Sequence, residues 1–193
     1  MRRLTQLLVL LLLSTPSDAN SYITPMFGFA FGGKVSDKQE ADYQVNESSN
    51  IAFTAETDVD QGRIGLFYSL QQSHIEKTNY DLDINYLHFQ SALNIPLTAK
   101  WSSFLGLSVG GTYLDADWLD KNLAFSAGAF TGVRYQLNDQ IALHAEGRWL
   151  ASSVDSDFSA LCQGSPESTQ CKFKFEGDWL HQGQANLGIT FIF

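Results

Sequence analysis

The stretch Asn186-Leu187-Gly188-Ile189-Thr190-Phe191-Ile192-Phe193 decides the fold of this chain. Every second residue in it is bulky and apolar, and this set consists of Leu187, Ile189, Phe191 and Phe193. A period of two places one set of side chains on each face of a β-strand. An apolar face that finishes on an exposed phenylalanine suits lipid better than water. The segment therefore predicts a strand of a membrane β-barrel, with Phe193 in an aromatic girdle.

The beginning of the chain predicts export. Arg2 and Arg3 precede the apolar run 7–13, and Ser17-Asp18-Ala19 supplies small residues before a cleavage point. Such a run is too short for a transmembrane helix and has the pattern of a secretory signal peptide. We expect residues 1–19 to be that signal peptide and residues 20–193 to form a single outer-membrane β-barrel domain.

Composition limits the class of protein. The formal net charge is −9, whereas nucleic-acid binders carry basic patches, so we expect no nucleic-acid partner. No stretch of the mature chain approaches the ~18 consecutive apolar residues of a membrane helix. A chain without such a helix can cross a bilayer only as a closed barrel, because open sheet edges leave polar backbone groups unsatisfied in hydrocarbon.

Alternation bounded by turn residues predicts eight strands. Each is long enough for the ~9–11 residues that a tilted membrane strand needs. The predicted spans are Tyr22–Gly33, Ser49–Asp58, Gly62–Glu76, Leu82–Ile95, Lys100–Leu114, Asn122–Leu137, Gln140–Asp155 and Gly177–Phe193. The predicted fold class is all-β, an eight-stranded antiparallel up-and-down transmembrane β-barrel.

Connection lengths and small residues separate this barrel from a soluble one. Three short connections alternate with four longer ones, as in bacterial barrels with short periplasmic turns and long outer loops. A soluble lipocalin-type barrel is the rival fold, and its apolar side chains would point inward. Glycines such as Gly106, Gly128 and Gly132 share a face with polar residues, while bulky apolar residues occupy the other face. A narrow barrel needs small residues inside, so the pattern favours the membrane barrel.

Several motifs carry a resemblance to a known group. The ending at Phe193 resembles the sorting signal that the barrel-assembly machinery recognises. Residues 20–193 resemble the OmpA-like and OmpX-like eight-stranded outer-membrane barrels. More narrowly, the stretches Leu82–His88, Glu146–Trp149 and Val154–Asp157 are similar to a group of small proteobacterial barrels. The resemblance implies an outer-membrane location with periplasmic termini and extracellular loops, and it implies no particular activity.

Two cysteines lie close together in the longest connection. Cys162 and Cys171 are separated by polar residues. In an exported protein this pattern predicts a local disulfide. A metal site would need further Cys or His residues at ligand spacing, and none is nearby, so we expect no bound metal and no cofactor.

The predicted inner face carries a set of charges. Its members are Glu56, Arg63, Arg134, His144, Glu146 and Arg148, with His88 also on an inward position. Arginine suits paired, partly buried contacts with carboxylates. One interpretation is a salt-bridge network that fills the lumen. The alternative is a polar gate of a narrow channel or a small-molecule site, although eight strands leave an interior only about wide enough for side chains.

An enzyme is a further alternative, because some outer-membrane barrels modify lipids. Serine hydrolysis needs a serine beside an oriented histidine. His144 and Glu146 offer a base and an acid, but they point into the lumen, while His181 and Ser152 lie near the outer end of the last strands. We therefore predict a non-enzymatic barrel with no catalytic residues.

The outer connections are acidic. Their carboxylates predict a solvated surface, and the alternative is divalent-cation bridges to lipopolysaccharide. The expected partners are outer-membrane lipid and lipopolysaccharide, together with the barrel-assembly machinery during biogenesis. We expect the protein to be a monomer.

Overall fold

Eight long antiparallel strands close into a barrel in the computed structural model of the protein. The structure describes residues 19–32, 34–37, 42–44, 47–74, 81–115, 123–153, 173–175 and 179–193. Each barrel strand pairs with its neighbours in chain order, and the first and last strands close the ring. The predicted up-and-down, eight-stranded antiparallel barrel is thereby confirmed.

The barrel strands match the predicted segments closely. They are β1 (Ser21–Phe31), β4 (Ser48–Val59), β5 (Gly62–His74), β6 (Asp81–Pro96), β7 (Trp101–Asp115), β8 (Leu123–Asn138), β9 (Ile141–Ser153) and β11 (Trp179–Ile192). The observed ends lie within three residues of the predicted ends wherever both fall in the described ranges. Strand ends fray and carry weaker alternation, so boundaries are the least readable part of the pattern.

The alternation did not predict a second, smaller sheet. It consists of β2 (Lys34–Asp37), β3 (Asp42–Gln44) and β10 (Phe173–Phe175), in the order β10-β2-β3. These segments fall where we predicted connections only. Strands of three or four residues are too short to show a period of two, so the pattern does not reveal them. The pairing of β2 with β10 joins the first long connection to the last.

Three short turns lie at one end of the barrel, which we call the turn end; the opposite end is the loop end. Asp60 adopts a left-handed conformation, with φ of 48°, in the turn between β4 and β5. In the next turn, the hydroxyl oxygen of Thr98 accepts hydrogen bonds from the backbone nitrogens of Lys100 and Trp101, at 3.3 and 3.1 Å. The side chain of Asn138 accepts one from Gln140 N at 2.9 Å. Asp, Asn and Thr favour turns through such local hydrogen bonds.

The two faces of the barrel have opposite character. Its outer surface carries large exposed apolar side chains, including Phe27, Leu66, Leu107, Phe125, Trp149 and Leu187. Its interior is mostly polar, with buried Thr24, Asn50, Ser69, Gln71, Gln182 and Asn186 among others. A water-soluble barrel would have this arrangement reversed. The exterior therefore matches a lipid-facing surface, as transmembrane barrels have.

Glycines make room for aromatic rings inside. A Cβ atom at Gly106 would overlap the ring of Phe130, and one at Gly132 would overlap the ring of Phe104. The small inward residues that the alternation predicted therefore leave the space into which these two rings pack. In the part of the chain that the structure describes, no helix has the length and apolar character to span a membrane.

Candidate functional site

The interior holds the charged and polar residues that a catalytic, binding or conducting site would need. These residues form clusters along the barrel axis. Glu56, Arg63, Arg134, Glu146 and Arg148 are all buried there. Each comes from an inward position of its strand, because alternate residues face the lumen. His88 and His144 are buried in the same interior.

The Arg148 cluster consists of Arg148, Glu146, Gln90, Phe67 and Phe130. Arg148 donates from Nε to Glu146 Oε1 at 2.9 Å and from Nη2 to Gln90 Oε1 at 2.8 Å. Its guanidinium carbon lies 3.7 and 4.1 Å from the ring centres of Phe67 and Phe130. Two charge-assisted hydrogen-bond partners and two aromatic faces hold this cation in one position.

The turn-end cluster consists of Tyr22, Glu56, Asp58, Arg63 and Arg134. The guanidinium carbon of Arg63 lies 3.3 Å from the centre of the Tyr22 ring, and its Nε is 3.4 Å from Asp58 Oδ1. Tyr22 donates its hydroxyl proton to Asp58 at 2.8 Å. Arg134 Nη2 approaches Glu56 Oε2 only to 3.9 Å. The cations of this cluster are therefore held more loosely than Arg148.

One amide joins the two clusters. Gln90 accepts from Arg148 through its oxygen and donates from Nε2 to Glu56 Oε1 at 2.8 Å. The result is a continuous line from Glu146 through Arg148, Gln90 and Glu56 towards Arg134. Buried polar groups linked in this way polarise one another and resist separation.

His88 lies beyond the Arg148 cluster, between two serines. Its Nδ1 is 2.9 Å from the Ser108 hydroxyl and its Nε2 is 2.6 Å from the Ser126 hydroxyl. The Ser108 hydroxyl also accepts a longer hydrogen bond from Arg148 Nη1, at 3.4 Å. Both ring nitrogens are therefore occupied, and the imidazole acts as a crosslink between β6, β7 and β8.

Towards the loop end the interior becomes neutral and then apolar. Tyr86 hydrogen-bonds to Gln182, and Thr112 lies 2.7 Å from Ser152, oxygen to oxygen. Ile84 and Leu114, paired across β6 and β7, are fully buried. Aliphatic side chains thus obstruct the lumen where charged ones end.

The packed interior leaves little free space. A cavity of about 10 Å³ lies among Glu56, Arg63, Arg134 and Glu146, and His144, Phe104 and Phe130 also line it. Larger depressions of about 760 and 360 Å³ open at the turn end, with Tyr22 and Arg63 among their walls. Around the charged clusters, the described part of the lumen is therefore closely packed with side chains.

Some network members were not singled out from the sequence. Asp58 and Gln90 share the inward parity of Glu56 and His88, so the alternation already contained the signal. The inward parity leaves the partners of the arginines open between Glu56 and Glu146 and the row Gln182, Gln184 and Asn186, and in the structure Arg148 and Arg134 lie beside the two glutamates. That row instead pairs elsewhere: Gln182 with Tyr86, Gln184 with Ser69 and Asn186 with Asn50.

The two histidines that we considered for catalysis, His144 and His181, lie in different settings. His181 lies on the outer face, where it stacks on Trp149 with ring centres 5.4 Å apart, whereas Ser152 is buried inside. His144 lies 3.7 Å from Glu146 and stacks on Phe104 at 4.9 Å. His181 and Ser152 therefore lie on different faces of the barrel wall and do not form the serine-histidine pair of a hydrolase.

Three further predictions concern the cysteines, the last residue and a bound metal. Cys162 and Cys171 lie outside the described residues, and their disulfide stays a prediction. Phe193 is exposed, and its backbone exchanges hydrogen bonds with Ser21 at 2.9 and 3.1 Å; its sorting role stays a prediction. Within the described ranges, no three His, Cys, Asp or Glu side chains are grouped so as to hold a metal ion.

Comparisons with solved structures support the fold. The crystal structure of Neisserial surface protein A (NspA) is 13% identical, with a TM-score of 0.65 over 90% of this chain and 97% of that chain. The outer membrane protein AlkL, solved in DMPC lipid bilayers, is 13% identical, with a TM-score of 0.54 over 93% of each chain. No family model and no curated protein matches the sequence. The likeness is one of fold, that of small transmembrane β-barrels.

Proposed function

We propose that the protein is a non-enzymatic barrel of the bacterial outer membrane, with a structural or surface-interaction role and a lumen that does not conduct. The observation that carries this proposal is the filling of the interior. Charged, aromatic and aliphatic side chains cross it in succession, and the cavity beside its charged residues measures about 10 Å³. A pore needs a continuous water path, and eight-stranded barrels are only about wide enough for their own side chains.

The apolar exterior supports the membrane location. Large side chains such as Phe29, Leu105, Leu123 and Leu187 are more than half exposed, which water would disfavour and acyl chains would not. In the proposed orientation the termini and the turn end face the periplasm, and the longer connections face outward. Lipid and lipopolysaccharide surround the barrel, the barrel-assembly machinery inserts it, and it acts as a monomer.

The connections at the loop end are where a surface role would reside. Binding residues are found disproportionately on loops that a rigid scaffold positions. Here the scaffold is rigid because its interior is crosslinked, and the pairing of β2 with β10 ties two of these connections together. The partner class that we propose is lipopolysaccharide or another molecule of the cell surface.

Conductance recordings test the closed lumen. Folded protein is inserted into planar bilayers, and insertion is checked independently by heat-modifiable gel migration. We expect no steady current above that of a protein-free bilayer. Large, regular, ion-selective openings would overturn the proposal in favour of a channel. A matched variant, Phe67→Ala, removes a ring beside Arg148 and should conduct more than the wild type if the assay can detect a partly opened lumen.

Lipid analysis tests the absence of an enzymatic role. Mass spectrometry of lipid A from cells with and without the protein should give the same species. A mass difference that depends on the protein, and that disappears in a His144→Ala variant, would overturn this part of the proposal.

A further inference from the structure

Unsatisfied polar atoms gather around one cavity. Among the described residues, fifteen buried side-chain atoms make no hydrogen bond, and eight of them belong to residues that line the 10 Å³ lumen cavity. They are Thr54 Oγ1, Arg63 Nε and Nη1, Asn94 Oδ1, Arg134 Nε and Nη1, and His144 Nδ1 and Nε2. Buried polar groups are normally hydrogen-bonded, so this concentration marks the cavity as a place where a small polar partner would fit.

The distances around the cavity indicate where that partner lies. Arg134 Nη2 and Glu56 Oε2 are 3.9 Å apart, and His144 Nε2 and Glu146 Oε2 are 3.7 Å apart. Both separations exceed the donor–acceptor distance of a direct hydrogen bond. Polar pairs at such separations are commonly bridged by a water molecule. Arg134 and Glu56 are both more than nine-tenths buried, so bulk solvent does not satisfy them.

The size and chemistry of the cavity select the occupant. A cavity needs roughly 10–15 Å³ to hold a water molecule, and this one has about 10 Å³. The guanidinium groups of Arg63 and Arg134 can only donate, while the carboxylates of Glu56 and Glu146 can only accept. The carboxylates disfavour an anion, and the guanidinium groups disfavour a cation. A water molecule both donates and accepts, and it is neutral.

We infer that this cavity is a specific hydration site, in which one buried water accepts a hydrogen bond from Arg134 and donates one to the carboxylate of Glu56. The water links Arg134 to Glu56 within the turn-end cluster, whereas Arg148 donates its hydrogen bonds to the protein groups Glu146 and Gln90. The site is separate from the question of conductance, because a single enclosed water does not make a path through the lumen.

Magnetisation transfer from water to arginine tests the site. The protein is labelled with ¹⁵N-arginine in lipid nanodiscs, and cross-relaxation from bulk-exchanging water to each arginine Nε–H is recorded. Arg148 is the internal control, because its Nε already donates to Glu146 at 2.9 Å between two aromatic rings. We expect a cross-peak at Arg134 and none at Arg148. Equal signals at both arginines, or none at Arg134, would overturn the inference.

Two further measurements identify the occupant. Ala92 lines the cavity and is buried, so Ala92→Leu should fill the space and abolish the Arg134 cross-peak, while the Arg148 resonance stays in place. An unchanged cross-peak in a folded Ala92→Leu variant would contradict the site. In the wild type, exchanging chloride for bromide or gluconate should leave the Arg134 resonance unmoved. A shift that saturates with chloride would replace the water with an anion.

Discussion

Arg148 and Arg134 face the same lumen from two neighbouring strands, β9 and β8, yet their surroundings differ. Arg148 donates hydrogen bonds to Glu146 and Gln90 and lies between two phenylalanine rings. Arg134 has a carboxylate at 3.9 Å and the ring centre of Phe104 at 5.2 Å from its guanidinium carbon. The same residue type is thus fully coordinated in one place and loosely surrounded in another. The difference shows that alternation puts a charge inside, while its neighbours decide how much that charge contributes to stability.

Removing a carboxylate should have the largest effect where the pairing is tight. Glu146→Gln leaves Arg148 buried without its charged partner, and we expect the free energy of unfolding in lipid vesicles to fall by about 3–5 kcal/mol. Glu56→Gln is the matched change beside Arg134, and we expect a loss of only about 1 kcal/mol. Urea titration followed by tryptophan fluorescence measures both. Equal losses would mean that the two arginines are held alike.

Replacing both members of the tight pair should recover part of the loss. Arg148→Met and Glu146→Leu together remove the buried charges and fill their space with apolar atoms, which is often tolerated. We expect the double variant to be more stable than the sum of the single losses implies, by about 2 kcal/mol in a double-mutant cycle. Strictly additive losses would show that Arg148 is held by its aromatic and amide neighbours instead.

The serines beside His88 extend the comparison to a neutral group. Ser126→Ala removes the hydroxyl 2.6 Å from His88 Nε2 and should cost about 1–3 kcal/mol, because a buried ring nitrogen loses its partner. Ser103→Ala is the control: its hydroxyl donates to the Gly132 carbonyl at 3.1 Å from a partly buried position. That change should cost less. A larger loss of unfolding free energy for Ser103→Ala than for Ser126→Ala would contradict the stabilising role of the His88 crosslink.

The smallest effect is expected at the turn end. Tyr22→Phe removes the hydroxyl that donates to Asp58 at 2.8 Å but keeps the ring against Arg63. The Asp58 side chain is 34% exposed, so water can replace the lost donor, and we expect less than about 1 kcal/mol. Tyr22→Leu also removes the aromatic face and should cost more. A Phe variant as unstable as the Leu variant would make the hydroxyl the important group.

Much of the lumen could be predicted before any contact was known. A strand places successive side chains on opposite faces whatever it pairs with, so inward Glu56, Arg63 and Arg134 followed from parity alone. The same rule placed Phe104 and Phe130 inside, opposite glycines. Asp58 and Gln90 have the same inward parity, but parity does not indicate that they are partners of the arginines.

The pairing of those side chains could not be predicted in the same way. Thr24 and Thr190 lie 166 positions apart and their hydroxyls are 2.9 Å apart, because β1 closes the ring against β11 in one particular register. Register determines the height of each inward residue along the axis. A count of alternation contains no information on that height, so it predicted the inward direction of the arginines and left their partners open between the carboxylates Glu56 and Glu146 and the row Gln182, Gln184 and Asn186.

The sequence by itself therefore determined the number of barrel strands, the inward and outward faces and the identity of most lumen residues, because these depend on a local, two-residue backbone period. Tertiary structure alone decided that Arg148 is tightly paired, that Arg134 borders a cavity and that β2, β3 and β10 form a small sheet. Those outcomes depend on strand register and on closure of the ring, which bring together residues distant in the chain and are set by all the strands at once.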